Sequence, residues 1–401
     1  MPRVDEFGLI RLLTGDRGAR TQSVDRADPD QAGSDEDGVI VGIGDDAAVL
    51  AGRSGFQWVV TCDTMVRDIH FKPETMTYEA IGYKAMASNI SDLAAMGAIP
   101  RFAVVALSVP AAMETETLRE LYDGLYACAG RYGVAVVGGD TTSCPRDMTV
   151  TVTAIGEVET GRALLRSGAS PGDAVFVTGP LGLSAAGLHL LLAAGRSAYD
   201  AGELPEERQQ LARAHQFPEP QVEAGRLLVR SGLGRSLNDV SDGLASEAWE
   251  LAEASGCVIE LDEALLPEDP ALAGYAREAG LDPLELMLYG GEDYRLTGTV
   301  RGEDAEALLA LFHREGLPLH LVGRVLAGGE PADCKLGSAD AAAAAERNRT
   351  QTRCLETVDG KEAAHQPPTA PGVLLKRRDG SVIPVRKRGY NHFTENQSAD
   401  A

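Results

Sequence analysis

The chain has 401 residues, enough for two domains of ordinary size, and 44% of them are apolar. No apolar run reaches the roughly 18 residues that span a bilayer, and Arg3, Asp5, Glu6 and Arg11 break any signal-peptide core between Met1 and Thr14, so a cytoplasmic protein is expected. A formal charge of −23 argues against nucleic acid or an anionic membrane as partner, and six scattered cysteines without a Cys-x-x-Cys pair indicate reduced thiols rather than disulfides or zinc.

In chain order, Gln22 to Asp37 is acidic and turn-rich and reads as a solvated insertion. Val39-Ile-Val-Gly-Ile-Gly-Asp-Asp46 is a strand-length apolar run closed by glycine and two carboxylates. The pattern repeats in Trp58 to Asp63 and in Val134 to Asp140, so three strands are each expected to deliver an Asp at an end. Thr75 to Gly97 reads as a helix stopped by its glycine, with Asn89 and Asp92 sharing a face. A second helix is predicted from Thr115 to Tyr132, with Leu118, Leu121, Tyr122 and Leu125 on one side. Phe102 to Val109 and Met148 to Val158 read as strands, the latter alternating apolar residues with threonine.

Gly168, Pro171 and Gly172 cluster where a domain boundary is expected, before a strand at Ala174 to Thr178. Helices follow at Leu183 to Ala194, Pro220 to Ser231 and Leu244 to Ser255. Strands near Cys257 to Leu261, Tyr294 to Val300 and Leu319 to Val325 make this half mixed as well. Ala327 to Gly372 carries an alanine run and Pro367-Pro368 and reads as a second insertion, after which Val373 to Val385 forms a hairpin turning at Asp379-Gly380. The expected fold class is therefore α/β (α+β), with mixed sheets flanked by helices.

Asp45, Asp46, Asp63, Asp92, Asp140, Asp239 and Asp242 stand beside glycine, small residues or apolar runs. An Asp beside Gly serves equally as a turn or helix cap. Ends of strands in an α/β sheet line a ligand crevice, however, and the recurrence points to convergence there. Converged carboxylates need cations to stay ionised. Oxygen ligands without His or Cys fit Mg²⁺, whose usual remaining partners are water and substrate phosphates. Phosphoryl transfer then follows as the chemistry, because it needs positioning and charge neutralisation more than covalent help. No Gly-x-x-x-x-Gly-Lys-Ser/Thr loop and no protein-kinase signature accompanies these acids.

Gly42-Ile-Gly-Asp-Asp-Ala-Ala48, Thr61-Cys-Asp-Thr64, His70-Phe71, Asn89-Ile-Ser-Asp-Leu-Ala-Ala-Met-Gly97, Gly138-Gly-Asp-Thr-Thr142, Asp239-Val-Ser-Asp-Gly243, Gly290-Gly-Glu-Asp-Tyr294 and Gly389-Tyr-Asn-His-Phe393 occur in register. In that order they resemble the thiamine-monophosphate kinases over nearly the whole chain outside the two insertions. The resemblance implies the two-domain fold shared with aminoimidazole ribonucleotide synthetase. Residues 1–160, with the acidic insertion 22–37, would form an ATP- and Mg²⁺-binding, dimerising half; residues 161–395, with the insertion 327–372, would form the other.

The resemblance also implies ATP-dependent phosphorylation of thiamine monophosphate to thiamine diphosphate, the last step of thiamine diphosphate biosynthesis, in a homodimer. Asp46, Thr61, Cys62 (through its backbone), Asp63, Asp92, Asp140, Asp239 and Asp242 would surround several Mg²⁺ ions, with Asp92, Asp140 and Asp242 catalytic. Tyr122, Gly139, Asp140, Arg166 and Ser241 would contact ATP, and His70, Glu292 and Tyr390 thiamine monophosphate. Read from the residues alone, His70 serves as well on a plain surface, Glu292 in a turn, Tyr390 and Tyr122 in packing, and Arg166 as a surface charge.

The family usually has Asp where Asn391 stands and a small residue at Cys62. Relatives with other substrates differ more: a selenophosphate synthetase is expected to carry a reactive cysteine near its start, and a hydrogenase-maturation relative a C-terminal cysteine tail. The first cysteine here is Cys62 and the chain ends without one. A non-catalytic nucleotide-binding regulator would be expected to have lost some of the acids, and every motif Asp is present.

Overall fold

The computed structural model describes residues 39–41, 45–326 and 370–387. Gly42 to Gly44, Tyr390, Asn391, the insertion at 22–37 and residues 327–369 of the insertion expected at 327–372 lie outside the described residues, and Gly372, expected to end that insertion, opens a strand instead. The N-terminal part forms a six-stranded sheet from β1 (Val39–Val41), β2 (Ala48–Ala51), β3 (Phe56–Val66), β4 (Ile99–Pro110), β5 (Ala135–Cys144) and β6 (Thr149–Glu159). Its order is β1-β2-β3-β6-β4-β5, antiparallel except for the parallel pair β4 and β5.

Alternation in β6 decides which face is covered: Val150, Val152 and Ala154 are buried, while Thr149, Thr151 and Thr153 turn to the open side. Helices α1 (Tyr78–Ala95) and α2 (Thr115–Arg131) pack on the covered face. Helix α1 begins where the Thr77 hydroxyl accepts from Ala80 N at 3.0 Å and ends before Gly97, whose φ of +65° an L side chain rarely adopts. It is buried nearly all round. Two glycines let the helices touch there, because a Cβ on Gly82 would lie 1.8 Å from Leu121 O and one on Gly124 would lie 1.8 Å from Glu79 O.

The C-terminal part holds β7 (Ala174–Val177), α3 (Leu183–Ala194), α4 (Ser197–Asp200), α5 (Glu206–Gln216), α6 (Val222–Ser231), β8 (Gly234–Asp239), α7 (Leu244–Ser255) and β9 (Val258–Asp262). There follow α8 (Pro270–Ala279), α9 (Pro283–Tyr289), β10 (Leu296–Val300), α10 (Ala305–Arg314), β11 (His320–Leu326), β12 (Gly372–Lys376) and β13 (Val382–Pro384). The sheet order is β13-β12-β9-β11-β7-β10-β8, antiparallel except for β12 beside β9. The two sheets share a core: Val49, Val59, Ala154 and Val158 from the first cluster with Phe176, Leu237, Leu296 and Val300 from the second. Helix α6 crosses α1 closely, since a Cβ on Gly225 would lie 2.2 Å from Ala94 O.

Two expectations need correction. Asp63 and Asp140 do not end their strands. Pairing with β6 carries β3 on to Val66, and pairing with β4 carries β5 on to Cys144, so both acids sit inside a ladder. Strand β8, Gly-Arg-Ser-Leu-Asn-Asp, escapes periodicity because Leu237 is its one large apolar residue. Its last four residues are nonetheless buried, with polar side chains satisfied by neighbours: Ser236 and Thr299 hydroxyls meet at 2.8 Å, and Asn238 donates to Glu247 and Glu250.

Candidate active site

Asp46, Asp92 and Asp239 come together where the two sheets face one another. Each offers a carboxylate oxygen, and these oxygens lie within 4.8 Å of one another. Asp46 follows β1, Asp92 projects from the last turns of α1, and Asp239 ends β8. The Thr61 hydroxyl on β3 donates to Asp92 Oδ2 at 2.5 Å, and the Ser91 hydroxyl donates to Asp239 Oδ2 at 2.5 Å. Arg166 ion-pairs with Asp46 Oδ1 through Nη2 and also donates from Nε at 3.1 Å, while its Nη2 lies 3.1 Å from Glu250. The Arg166 backbone N–H donates to Asp45 Oδ2 at 3.2 Å.

Carboxylates outnumber the one guanidinium here, and their acidities respond. Burial, opposed by Arg166, pushes Asp45 up to about 6, and burial pushes Asp239 to about 6 against its Ser91 bond. Asp46 and Asp92 are raised well above the usual carboxylate range, by burial first and then by neighbouring acids. Asp46 Oδ2 is buried and has no hydrogen-bond partner among the described residues. Such an atom costs roughly 1–3 kcal/mol unless something fills the gap.

The other expected residues fall in several places. Asp63 lies on the same side of β3 as Thr61, its backbone N–H bound to Asn89 Oδ1 at 3.0 Å, and its charge helps raise Asp92 and Asp239. Cys62 points to the opposite, open face, where its sulfur accepts from the Thr153 hydroxyl at 3.3 Å. The Asp242 N–H donates to Glu247 Oε1 at 3.0 Å and the Ser241 hydroxyl reaches the same oxygen at 3.4 Å. Asp140 and Gly139 are not brought to this group. They lie exposed on edge strand β5, three strand spacings from β3, about 14 Å. A Cβ on Gly139 would lie 1.9 Å from Val105 O, so only glycine fits. Tyr122 is half-buried on α2, its ring 6.1 Å from that of Tyr126.

A second group lies beside the acids. Glu292, in the turn after α9, accepts from Lys84 Nζ at 2.5 Å, and His215 Nδ1 stands 3.4 Å from the same oxygen. The turn is tight: Glu292 and Tyr294 have φ of +67° and +49°, and a Cβ on Gly291 would lie 2.4 Å from Ser241 O. Asp293 faces away to cap α3, accepting from Gly182 N at 2.5 Å and Ser184 N at 3.1 Å; burial holds its pKa at about 6. Tyr294 is buried, and its phenol is raised well above its usual pKa by burial first and then by Glu292, Asp63, Asp239 and Asp92. His70 sits in the turn after β3, where its Nδ1 accepts from Val66 N at 3.0 Å.

Sequence reasoning missed Lys84, His215, Glu247 and Glu250. Lys84 left a signal, being the one cation in an 18-residue helix of small and apolar residues. Glu247 left a fainter one, an acid in the first turn of α7 that reaches back to the residues before the helix. His215 and Glu250 are acquired through tertiary packing and left none.

The description "AIR synthase related protein, N-terminal domain" matches residues 44–158, and its C-terminal counterpart matches residues 170–332. The thiamine-monophosphate kinase of Bacillus subtilis (strain 168) is 40% identical over 393 residues, 97% of this chain and 100% of that one. The solved structure of AaThiL complexed with AMPPCP and TMP superposes with a TM-score of 0.71 at 26% identity, covering 98% of each chain. The thiamine-monophosphate kinase of Stenotrophomonas maltophilia K279a gives 0.61 at 36% identity, covering 73% of this chain and 90% of that one.

Proposed function

The chain belongs to the thiamine-monophosphate kinase family, and we infer from that premise that it moves the γ-phosphoryl of ATP onto the phosphate of thiamine monophosphate, giving thiamine diphosphate and ADP. Geometrically, the reading rests on Asp46 Oδ2, a buried oxygen without a partner among the described residues, beside the carboxylates of Asp92 and Asp239. An all-oxygen donor set of this kind suits Mg²⁺. In our reading several Mg²⁺ ions bind: Asp46, Asp92 and Asp239 hold one, with Asp63, Asp242, the Thr61 hydroxyl and the Cys62 carbonyl as further ligands, while Asp140, three strand spacings away on β5, serves a separate ion. The open-face position of the Cys62 sulfur agrees with a backbone role there.

When bound, Mg²⁺ supplies the positive charge that offsets repulsion between two polyanionic substrates. The protein's share is orientation. Thr61 and Ser91 fix Asp92 and Asp239, and Arg166 fixes Asp46, so these carboxylates are aimed before any substrate arrives. A phosphate monoester is already largely dianionic at neutral pH, so direct in-line attack needs no strong base, and Asp92, Asp140 and Asp242 act on the reacting phosphates through charge. We assign Tyr122, Gly139, Asp140, Arg166 and Ser241 to ATP, and His70, Glu292 and Tyr390 to thiamine monophosphate.

The homodimer is proposed from β5, whose outer edge is exposed and unpaired among the described residues and so invites a partner. We divide the chain at 160/161, in keeping with the six-stranded sheet ending at Glu159 and the seven-stranded one starting at Ala174. Work in the cytoplasm is supported by free cysteines at 62, 128, 144 and 257 among the described residues. Also among the described residues, no helix is long and apolar enough to cross a membrane. ADP release stimulated by thiamine monophosphate, with thiamine diphosphate as product, tests the reading; ATP binding without turnover would overturn it.

A further inference from the structure

Lys84 is wholly buried on α1, among the largest side chains to be so, in a position where an apolar residue would be cheaper. Its Nζ reaches Glu292 Oε2 at 2.5 Å and lies 3.5 Å from His215 Nδ1. The imidazole is neutral, since burial and then the Lys84 charge push its pKa well below the usual value. Because an ammonium only donates, His215 Nδ1 is the acceptor in its contact with Lys84; the Ser184 hydroxyl lies 3.3 Å from the same nitrogen, and among the described residues Lys84 is the cation that neutralises Glu292.

The backbone beneath Glu292 is equally fixed. Its N–H donates to Ser241 O at 2.7 Å, its φ is +67°, and the next residue, Asp293, is tied to the start of α3. Glu292 Oε1 makes no hydrogen bond among the described residues, and the side chain remains 29% exposed. One oxygen is thus clamped and the other is left available on a partly exposed side chain, an arrangement suited to a cationic or N–H-bearing ligand.

We propose that Lys84 is a positioning residue that aims Glu292 at the organic cation of thiamine monophosphate, with Ser184 and His215 holding the lysine head in place. This rests on the reading that Glu292 faces that substrate, and it separates substrate recognition from metal-assisted transfer a short way along the same helix.

Steady-state kinetics of the full chain with Lys84→Met, Glu292→Gln and the double variant test it, with thermal melts alongside. K84M is expected to raise KM for thiamine monophosphate about tenfold, with kcat changed less than about threefold and KM for ATP unaffected. E292Q should do the same, and in its background K84M should add nothing further. The double variant carries no unpaired charge and keeps the comparison open if K84M alone does not fold. Unchanged KM for thiamine monophosphate in E292Q overturns the role of Glu292 itself. Raised KM in E292Q but not in K84M overturns the role of Lys84 alone, as does a further rise in the double variant or an equal rise in KM for ATP.

Discussion

Two charged groups lie side by side in this molecule and differ in balance. Around Lys84 the charges close: one cation, one carboxylate and a neutral imidazole, each with a partner. Around Asp46 they do not, because Arg166 faces Asp45, Asp46, Asp239, Glu247 and Glu250 together and one buried oxygen is left over. A closed group is finished by the fold itself. An open one is finished by what binds, so the same kind of substitution should act oppositely on stability in the two places.

Asp92→Asn gives the sharpest contrast. It should cut turnover by roughly 10²-fold or more, while the melting temperature of the metal-free protein rises, because a source of repulsion on Asp46 and Asp239 has gone. A fall in melting temperature would break the comparison. Lys84→Met should do the reverse to stability, lowering it by roughly 2–4 kcal/mol in denaturant titration, as expected for a buried pair deprived of one member.

Acidity gives a third handle. Asp45 and Asp239 sit at about 6 in the folded chain, above ordinary carboxylates. Between roughly pH 4 and 6 the folded state therefore holds more protons than the unfolded one, and these groups subtract stability as pH rises through that window. The metal-free protein should melt several degrees lower at pH 7.5 than at pH 5, and added Mg²⁺ should remove most of the difference; scanning calorimetry at both pH values with and without the ion decides it. Cys62→Ser should have the smallest effect, within about 0.5 kcal/mol and twofold in kcat, since its sulfur faces away from the acids.

Much of this was legible in the sequence. The span of α1, read as starting three residues early at Thr75, its Gly97 stop, the alternation in β6 and the turn at Gly380 follow from local rules that tertiary contacts did not override. Asp46, Asp92 and Asp239 could be singled out because each stands in a short polar break between apolar runs. Strand β8 could not, since its burial is purchased by side-chain hydrogen bonds rather than by apolar residues. The meeting of Lys84 with His215 was hidden for a related reason, although Lys84 by itself left a signal: 131 positions separate the two, and neither periodicity nor composition encodes their contact.

Helix α1 carries Lys84 to one group and Ser91 and Asp92 to the other, with Asn89 pinning β3 between them. Eight residues of helix make a rigid spacer of about 12 Å, which sets the interval between the Lys84–Glu292 pair and the carboxylates of Asp46, Asp92 and Asp239. A spacer of this kind is quantised. One residue added between Lys84 and Asp92 would swing one end about 100° against the other, so the chain can take on long stretches elsewhere and still has no freedom to change length here.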